Sequence, residues 1–244
     1  MSKKQFARQK AKKGAASSPA KAAGRPSWLP LVIIGGALLA AVVAGVWLMR
    51  STRDAPADAA TQVAAGATGA NPPQAKGSAN APVTIEEFGD YECPPCGALH
   101  PELEKIKADY GDRVRLVFRH YPLVRLHQNA LAAAHAAEAA GLQGKFWEMH
   151  DRLYRGQKAW AGLGDARRIF TDYARDIGLD AERFARDMNG DEADRRIVAD
   201  HERARSLGVN STPVVFVNGR KLPPNAQAAK DVRAAIDTAL GGKQ

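Results

Sequence analysis

The residues with the clearest capacity for chemistry are two cysteines, Cys93 and Cys96, the only cysteines in the 244-residue chain. They lie three positions apart, and no other thiol is present to form a structural disulfide. A C-x-x-C pair suits either thiol–disulfide exchange or half of a zinc site. A structural zinc ion needs four ligands, and the sequence has neither a second cysteine pair nor two histidines at ligand spacing. The pattern therefore favours exchange chemistry, with metal binding as the alternative.

The flanking sequence predicts that the pair lies between a strand and a helix. A short β-prone run follows Pro82 and reaches Phe88, and a helical pattern begins at Ala98. Cys93 would then lie near the helix N-terminus, where free backbone N–H groups and the helix dipole stabilise negative charge. Because the thiolate is the nucleophile in exchange, this position is expected to lower the pKa of Cys93.

The formal net charge of +9 belongs to the N-terminal tail. Eight of the 35 Lys and Arg residues lie within residues 1–27, which contain no Asp or Glu. The remaining 27 basic residues nearly balance the 26 acidic ones. The rest of the chain is therefore close to neutral, and a nucleic-acid-binding surface is not supported.

Residues 28–49 form a run of 22 residues without a charged side chain. As a helix this run would be about 33 Å long, enough to cross a bilayer core. The basic residues before it predict that residues 1–27 stay in the cytoplasm and that the rest of the chain is exported. The alternative is a cleaved signal peptide, because residues 42–44 resemble a small-residue cleavage site.

After the predicted anchor, residues 50–76 are rich in Ala, Gly, Pro and small polar residues, which is typical of a flexible linker. We predict one globular domain over residues 77–242, a normal size for a single core. A helical pattern occupies about residues 126–207 and separates the first strands from the last ones. The last elements are a strand at 213–217, a hairpin turn at Asn218-Gly219 and a closing helix at 230–240. This order predicts an α/β domain with a helical insertion.

The domain resembles the thioredoxin superfamily and, within it, the DsbA-like thiol–disulfide oxidoreductases of the bacterial cell envelope. The resemblance covers nearly all of residues 77–242 and depends jointly on Phe88–Cys96, Phe146–His150 and Thr212–Pro213. It implies a thioredoxin-like fold and an enzyme that exchanges disulfides with exported proteins. It also implies a redox partner in the membrane or periplasm. No cofactor is required, since two sulfurs carry the electrons. With the predicted anchor, we expect a single-pass inner-membrane protein with a periplasmic catalytic domain.

The resemblance also implies roles for individual residues. Cys93 would be the exposed attacking thiol and Cys96 the buried resolving thiol. Thr212–Pro213 would be a cis peptide bond that faces the cysteines and binds substrate backbone. Glu87, six residues before Cys93, would be a buried acid that helps Cys96 to lose its proton. The alternative is that Glu86 and Glu87 both lie at the frayed end of a strand.

The residues between the cysteines depart from strongly oxidising relatives, which carry a histidine there. Pro94 and Pro95 occupy the active-site loop of this chain, and Pro95 has no N–H to stabilise the Cys93 thiolate. We predict net oxidation with a potential between those of thioredoxin and DsbA, roughly −230 to −150 mV. A reductase or isomerase is the alternative, because relatives with those roles also have threonine at the position of Thr212.

Two alternative functions, which are not disulfide exchange, remain. One is a tethered Cu(I)- or zinc-binding module that uses both thiols with a nearby histidine or with ligands from a partner. The other is a docking domain without disulfide chemistry, against which the intact cysteine pair argues. His100, close to the pair, is interpreted as a surface or packing residue.

Overall fold

Two seven-residue strands rich in branched and aromatic side chains form the centre of the protein. They are β2, Val83–Gly89, and β3, Val114–His120, and they pair in parallel. Six of the seven residues in each strand are buried, as expected for parallel strands covered by helices on both faces. The computed structural model describes residues 67–241.

Within the described residues the sheet has five strands in the order β1-β3-β2-β4-β5. The outer strands are antiparallel to their neighbours. Strand β1 (Gln74–Lys76) pairs with β3, and β4 (Val214–Val217) pairs with β2. Strand β5 (Arg220–Lys221) pairs with β4. Asn218 and Gly219 join β4 to β5 with φ values of 48° and 78°, the left-handed conformations of a type I′ turn. The predicted hairpin is therefore confirmed.

The helices cover both faces of this sheet. In chain order they are α1 Pro94–Tyr110, a 3₁₀ turn at Gly111–Arg113, α2 Ala130–Gly141, α3 Phe146–Arg155, α4 Gln157–Trp160, α5 Arg167–Asp176, α6 Ala181–Asp187, α7 Asp191–Ser206 and α8 Ala229–Gly241. Helices α2 to α7 lie between β3 and β4, so the predicted helical insertion in an α/β domain is confirmed. Its helices begin at Ala130 and end at Ser206, close to the predicted limits of about 126 and 207.

Side chains along β2 alternate between the two faces, as the pleat requires. Val83 and Ile85 pack in one core cluster with residues of α1 and α8. Phe88 packs in another cluster with Ala204 of α7 and with Phe216. Because Glu87 has the parity of Val83 and Ile85, it lies on the α1 face, whereas Glu86 lies on the α7 face.

Glu86 and Glu87 are both inside the strand ladder, opposite Val117 and Phe118 of β3. The alternative that they lie at a frayed strand end is therefore wrong. The strand continues to Gly89 because β3 pairs with it up to that residue and β4 pairs with it up to Phe88. The sequence pattern alone did not reveal this pairing.

The domain begins earlier than predicted. We expected the linker to extend to residue 76, but β1 occupies Gln74–Lys76, and Ala70 is buried. The backbone of Ala70 accepts a hydrogen bond from Arg119 and donates one to Asp200, both at 2.8 Å. This segment is held by its backbone rather than by bulky side chains, so composition gave no sign of it.

The predicted cytoplasmic tail (1–27), the predicted anchor (28–49) and the predicted linker up to residue 66 lie outside the described residues. Among residues 67–241, no helix combines the length and apolar character that a membrane span requires.

Candidate active site

The two cysteines lie at the first turn of α1. Cys93 is the N-cap residue, with extended backbone angles (φ −70°, ψ 119°), and Pro94 and Pro95 fill the next two positions. Proline suits the first helical turn because its N–H is not needed there. The consequence for chemistry is that neither proline offers an N–H, so Cys96 supplies the first free amide of the helix next to Cys93.

The Cys93 thiol is strongly activated. Its pKa is lowered to about 6, and the largest cause is a hydrogen bond from the Cys96 side chain. Burial opposes this effect, while the Thr212 side chain and the Cys96 backbone N–H add to it. A thiol with this pKa is mostly thiolate at neutral pH, the form that attacks disulfides.

The Cys96 thiol has the opposite character. Burial raises its pKa, and the hydrogen bond to Cys93 and the negative charge of Glu87 raise it further. Cys96 has no exposed surface, and both thiols are free in this structure. The geometry therefore separates an ionised sulfur from a protonated one within a single helical turn.

The expectation of an exposed Cys93 needs correction. Only 5% of its surface is accessible, because the segment before β4 covers it. The Cys93 thiol donates to the Thr212 carbonyl oxygen at 3.6 Å, whereas Pro94 and Pro95 beside it are exposed. A substrate sulfur would therefore approach over the two prolines.

The Thr212–Pro213 peptide bond is cis and lies against Cys93. The structure thus brings together the segments that the resemblance paired, although they are 119 residues apart. The Thr212 hydroxyl has no hydrogen-bond partner among the described residues. It is free to donate to the sulfur once Cys93 is ionised, which agrees with its lowering effect on the pKa of that residue.

Glu87 is a solitary buried acid. It is 2% exposed, and one of its carboxyl oxygens, Oε1, has no partner among the described residues. Burial, together with the negative charge of Cys93, raises its pKa to about 8. Its charge in turn raises the pKa of Cys96. A carboxyl group with this pKa can take or release a proton near neutral pH.

Two further acids, for which the sequence predicted no role, hold the active-site loop. Asp90 accepts hydrogen bonds from the backbone N–H groups of Glu92 and Leu123, each at 2.8 Å. The Glu92 carboxylate accepts from the N–H of Asn129 at 2.6 Å and of Gly162 at 2.8 Å. Both acids lie just before the cysteines in sequence, and this position was the sign of their role that the sequence offered. They fasten the loop to the helical insertion.

Gln157 also positions the first turn, and nothing in the sequence indicated it. Its side-chain N–H₂ donates to the carbonyl oxygens of Tyr91 at 2.7 Å and Cys93 at 3.0 Å. A Cβ on Gly97 would come within 2.5 Å of Gln157 Oε1, so a larger residue there would displace the Gln157 amide. Gln157 lies in a four-residue helix far along the chain, where no local pattern marks it.

A cleft of about 550 Å³ opens beside the cysteine pair. It lies between the start of α1 and the segments around β4 and β5. Its lining is mainly apolar and includes Pro95, Leu99, Thr212, Pro213, Leu222 and Ala229. This cleft leads directly to the residues that cover Cys93.

The thiols are not part of a cluster of metal ligands. Among residues 67–241, His100, His150 and Asp151 form the one group of three or more such side chains, and neither cysteine belongs to it. A site that used both thiols would therefore need ligands from outside residues 67–241. His100 is a buried packing residue, stacked on Tyr154 with ring centres 5.0 Å apart.

Solved structures share this fold. A thioredoxin-like oxidoreductase from Silicibacter pomeroyi DSS-3 is 31% identical, with a TM-score of 0.60 over 69% of this chain and 92% of its own. The thiol-disulfide exchange protein alpha-DsbA2 from Wolbachia pipientis is 22% identical, with a TM-score of 0.59 over 68% of this chain and 86% of its own. The thioredoxin-like fold thus has DsbA-like structural neighbours.

Relatives also occur among longer proteins. The Na(+)/H(+) antiporter NhaA 1 of Mycolicibacterium gilvum (strain PYR-GCK) is 38% identical over 163 residues, which are 65% of this chain and 25% of the relative. This chain therefore spans about a quarter of the length of the curated relatives it matches. Residues 70–238 match the family model described as thioredoxin. Because this match covers more than half of the chain and includes the cysteine pair, the protein belongs to the thioredoxin family.

Proposed function

We propose that this protein is a DsbA-like thiol–disulfide oxidoreductase that exchanges disulfides with exported proteins through Cys93 and Cys96. The observation that carries the proposal is the asymmetry of the pair. Cys93, with its pKa lowered to about 6, lies at the helix N-cap beside the cis Thr212–Pro213 bond, whereas Cys96 is fully buried with a raised pKa. Such a pair has a distinct nucleophile and a distinct resolving thiol.

In the oxidising direction, a substrate thiolate attacks Cys93 Sγ of the enzyme disulfide. The Cys93–Cys96 bond breaks, Cys96 leaves and takes up a proton, and a mixed disulfide forms. A second substrate thiolate then attacks the substrate sulfur of that bond. The substrate disulfide forms, and Cys93 leaves as a thiolate. The substrate loses two electrons and the enzyme gains two, and the low pKa of Cys93 makes it the better leaving group.

Glu87 supplies the proton step in this proposal. When Cys96 leaves it needs a proton, and when it attacks in the reverse direction it must lose one. Glu87, whose pKa is raised to about 8, is buried on the same face and influences the pKa of Cys96. We assign it the transfer of this proton, directly or through one water.

Net oxidation is the direction that we propose. A pKa of about 6 for Cys93 lies between the values of about 7 in thioredoxin and about 3.5 in DsbA. A more stable thiolate stabilises the reduced form and raises the potential. The single amide available in the first turn supports a potential between the two enzymes, in the predicted range. Thr212 is the feature that favours the competing proposal of a reductase or isomerase.

The cleft beside the pair is proposed to bind substrate. Its apolar lining and its position next to Thr212–Pro213 suit an extended polypeptide with an apolar side chain near its cysteine. An unfolded exported protein presents such segments before its disulfides form.

The location belongs to the proposal as well. Residues 28–49 are proposed to anchor the chain in the inner membrane, with residues 1–27 in the cytoplasm and the oxidoreductase domain in the periplasm. The longer relatives are named as Na(+)/H(+) antiporters. Ion antiport is named for those longer proteins and is not extended to this chain.

Trapping of mixed disulfides tests the function. Cells that express Cys96→Ala should accumulate complexes that migrate slowly without reductant and disappear with it. Cys93→Ala should give none, because its remaining thiol is buried. Equal trapping by the two variants would contradict the assigned order. Acid quenching and thiol alkylation of the native protein then decide the direction, since a mostly dithiol pool would support a reductase.

A further inference from the structure

Behind the redox pair, helices α1 and α3 bring three potential metal ligands together. His100 lies one helical turn after Cys96, and His150 and Asp151 are consecutive on α3. One ligand atom from each lies within 4.8 Å of the other two. The histidines are 4% and 1% exposed, and the Asp151 side chain is 22% exposed. The cluster is thus almost enclosed, with a carboxylate at its outer edge.

Polar atoms of this cluster are buried without partners. His100 Nε2 and Asp151 Oδ1 are 3.5 Å apart, too far for a good hydrogen bond, and neither has another partner among the described residues. Oε1 of Glu104, one turn beyond His100 on α1, is buried and unpartnered as well. Native proteins rarely leave several such atoms together, because each costs free energy. The unpartnered atoms of His100 and Asp151, which face each other, point to a ligand that these two side chains share.

The second histidine is already oriented by a neighbour. His150 Nδ1 lies 3.0 Å from the Tyr91 hydroxyl. When Nδ1 carries the proton and donates to that oxygen, Nε2 has its lone pair free. Metal-binding histidines are commonly fixed in this way, through a hydrogen bond from the nitrogen that does not bind the metal.

We propose that His100, His150 and Asp151 form a binding site for a divalent transition-metal ion of the Zn²⁺ class. Two imidazole nitrogens and a carboxylate oxygen are a ligand set that zinc accepts, whereas Ca²⁺ and Mg²⁺ require oxygen ligands. Glu104, whose Oε2 is bonded to Lys76 Nζ at 2.6 Å, is not one of these three ligands. The side chains of Asp151 and Glu104 are 22% and 24% exposed, which gives the ion a path from solvent.

The site differs from a metal site at the cysteines. It uses neither thiol, and it forms within one molecule. Residues 1–66 contain no histidine or cysteine, so the N-terminal part of the chain adds no competing imidazole or thiol. The inference does not depend on the proposed disulfide exchange, because it concerns a different set of side chains.

Zinc titration of the full-length chain tests the site. The protein carries Cys93→Ser and Cys96→Ser so that thiols cannot bind the ion, and it is purified without a histidine tag. Calorimetry should show one Zn²⁺ per chain, and the binding should persist in excess Ca²⁺ or Mg²⁺. Co²⁺ in place of Zn²⁺ should give visible absorption typical of nitrogen and oxygen ligands.

Single substitutions locate the bound ion. Asp151→Asn, an isosteric change at a partly exposed position, should weaken Zn²⁺ binding at least about tenfold, and His100→Gln should weaken it more. The matched control is His135→Gln, because His135 also pairs with an aspartate, Asp194, at 2.6 Å but lies outside the cluster. Its affinity should be unchanged.

Two results would overturn the proposal. One is no stoichiometric binding to the cysteine-free chain, in which case His100 and Asp151 only pack against each other. The other is equal affinity in Asp151→Asn, His100→Gln and His135→Gln. Circular dichroism of each metal-free variant establishes that a loss of binding does not come from unfolding.

Discussion

Glu86 and Glu87 are adjacent on the central strand and lie on opposite faces of the sheet, and their surroundings differ. Glu86 accepts hydrogen bonds from Arg119 at 2.8 Å and from two nitrogens of Arg203, both at 2.8 Å. Although burial opposes the effect, these hydrogen bonds lower the pKa of Glu86. Glu87 has no cationic partner among residues 67–241, and burial raises its pKa to about 8.

The contrast shows how one strand serves two purposes. On the α7 face the buried charged side chains form ion pairs with one another. Glu86, Arg119, Arg203 and Asp200 make up one network. The α1 face, which carries the cysteines, leaves Glu87 without a counterion. An unpaired buried acid destabilises a fold but can exchange protons near neutral pH. We therefore expect substitutions on the two faces to affect stability in opposite directions.

The largest change in stability is expected when the ion pairs of Glu86 on the α7 face are disrupted. Glu86→Gln removes the negative charge that pairs with the buried Arg119, and removal of one member of a buried pair costs about 3–5 kcal/mol. Denaturant unfolding of the oxidised protein measures the loss. Glu192→Gln is the control, since it removes an exposed ion pair with Arg195 that should contribute about 0–1 kcal/mol. A loss of similar size in the two variants would remove the basis of the comparison.

Removing Glu87, the unpaired acid, should increase the stability of the fold. Since the pKa of Glu87 is about 8 when folded and 4.5 ordinarily, the folded protein holds a proton that the unfolded chain has released between these values. Stability therefore falls as pH rises from about 4.5 to about 8. Glu87→Gln should be more stable than the native protein by up to about 4 kcal/mol at pH 8 and nearly equal at pH 4.

Unfolding of the oxidised protein across this pH range checks the Glu87 prediction, since oxidation prevents the thiols from titrating. Cys93 carries no charge in the disulfide, so burial alone raises the pKa of Glu87 there, and the difference lies below this upper value. A parallel pH dependence of native and variant protein would show that Glu87 ionises normally. The same variant should slow the resolving step of disulfide exchange if the proposed proton transfer is correct.

A smaller effect is expected from Thr212, whose hydroxyl is unpartnered beside Cys93. Because this side chain lowers the pKa of Cys93, Thr212→Val should raise that pKa by up to about one unit, or 1.4 kcal/mol. The potential should then fall by up to about 30 mV. Thiolate absorbance against pH gives the pKa, and glutathione equilibration gives the potential. Thr171→Val, on an exposed helix surface, is the control and should change neither quantity.

The smallest effect concerns Gln157, which holds the first turn through two backbone carbonyl groups. Gln157→Ala should cost about 1–2 kcal/mol of stability, at roughly 1 kcal/mol for each hydrogen bond. Amide hydrogen exchange of Cys96 and Gly97 should accelerate. Gln128→Ala removes a comparable exposed bond to the Gly164 carbonyl and should leave exchange at the active site unchanged.

The sequence predicted those parts of the fold that have local signals. The strand behind Pro82, the helix after Cys93 and the Asn218-Gly219 hairpin depend on neighbouring residues, and all three are present. Strand β1 was missed because Gln74–Lys76 has no β-branched or aromatic residue. It forms a strand because it pairs with the edge of β3. Its own three residues carry no signal of that pairing.

The site follows the same rule. The cysteine pair and its place at a helix N-terminus could be predicted, because motif and element are contiguous. The partners of Glu86 lie 33 and 117 residues away, and Gln157 lies 64 residues after Cys93. Sequence alternation required that at least one of Glu86 and Glu87 face inward, but the positions of Arg119 and Arg203 decide which one is neutralised.

The unequal pKa values of Cys93 and Cys96 also determine how many protons accompany the two electrons. Below about pH 6 both sulfurs of the reduced protein carry a proton, and above it only Cys96 does. Each proton changes a two-electron potential by about 30 mV per pH unit. The potential should thus fall by about 60 mV per unit below pH 6 and by about 30 mV per unit above it. An ordinary dithiol, with both pKa values near about 8.5, changes by about 60 mV per unit over the same range. A fall in pH towards 6 would therefore narrow the difference in potential between this protein and such a dithiol, and a rise in pH towards 8 would widen it.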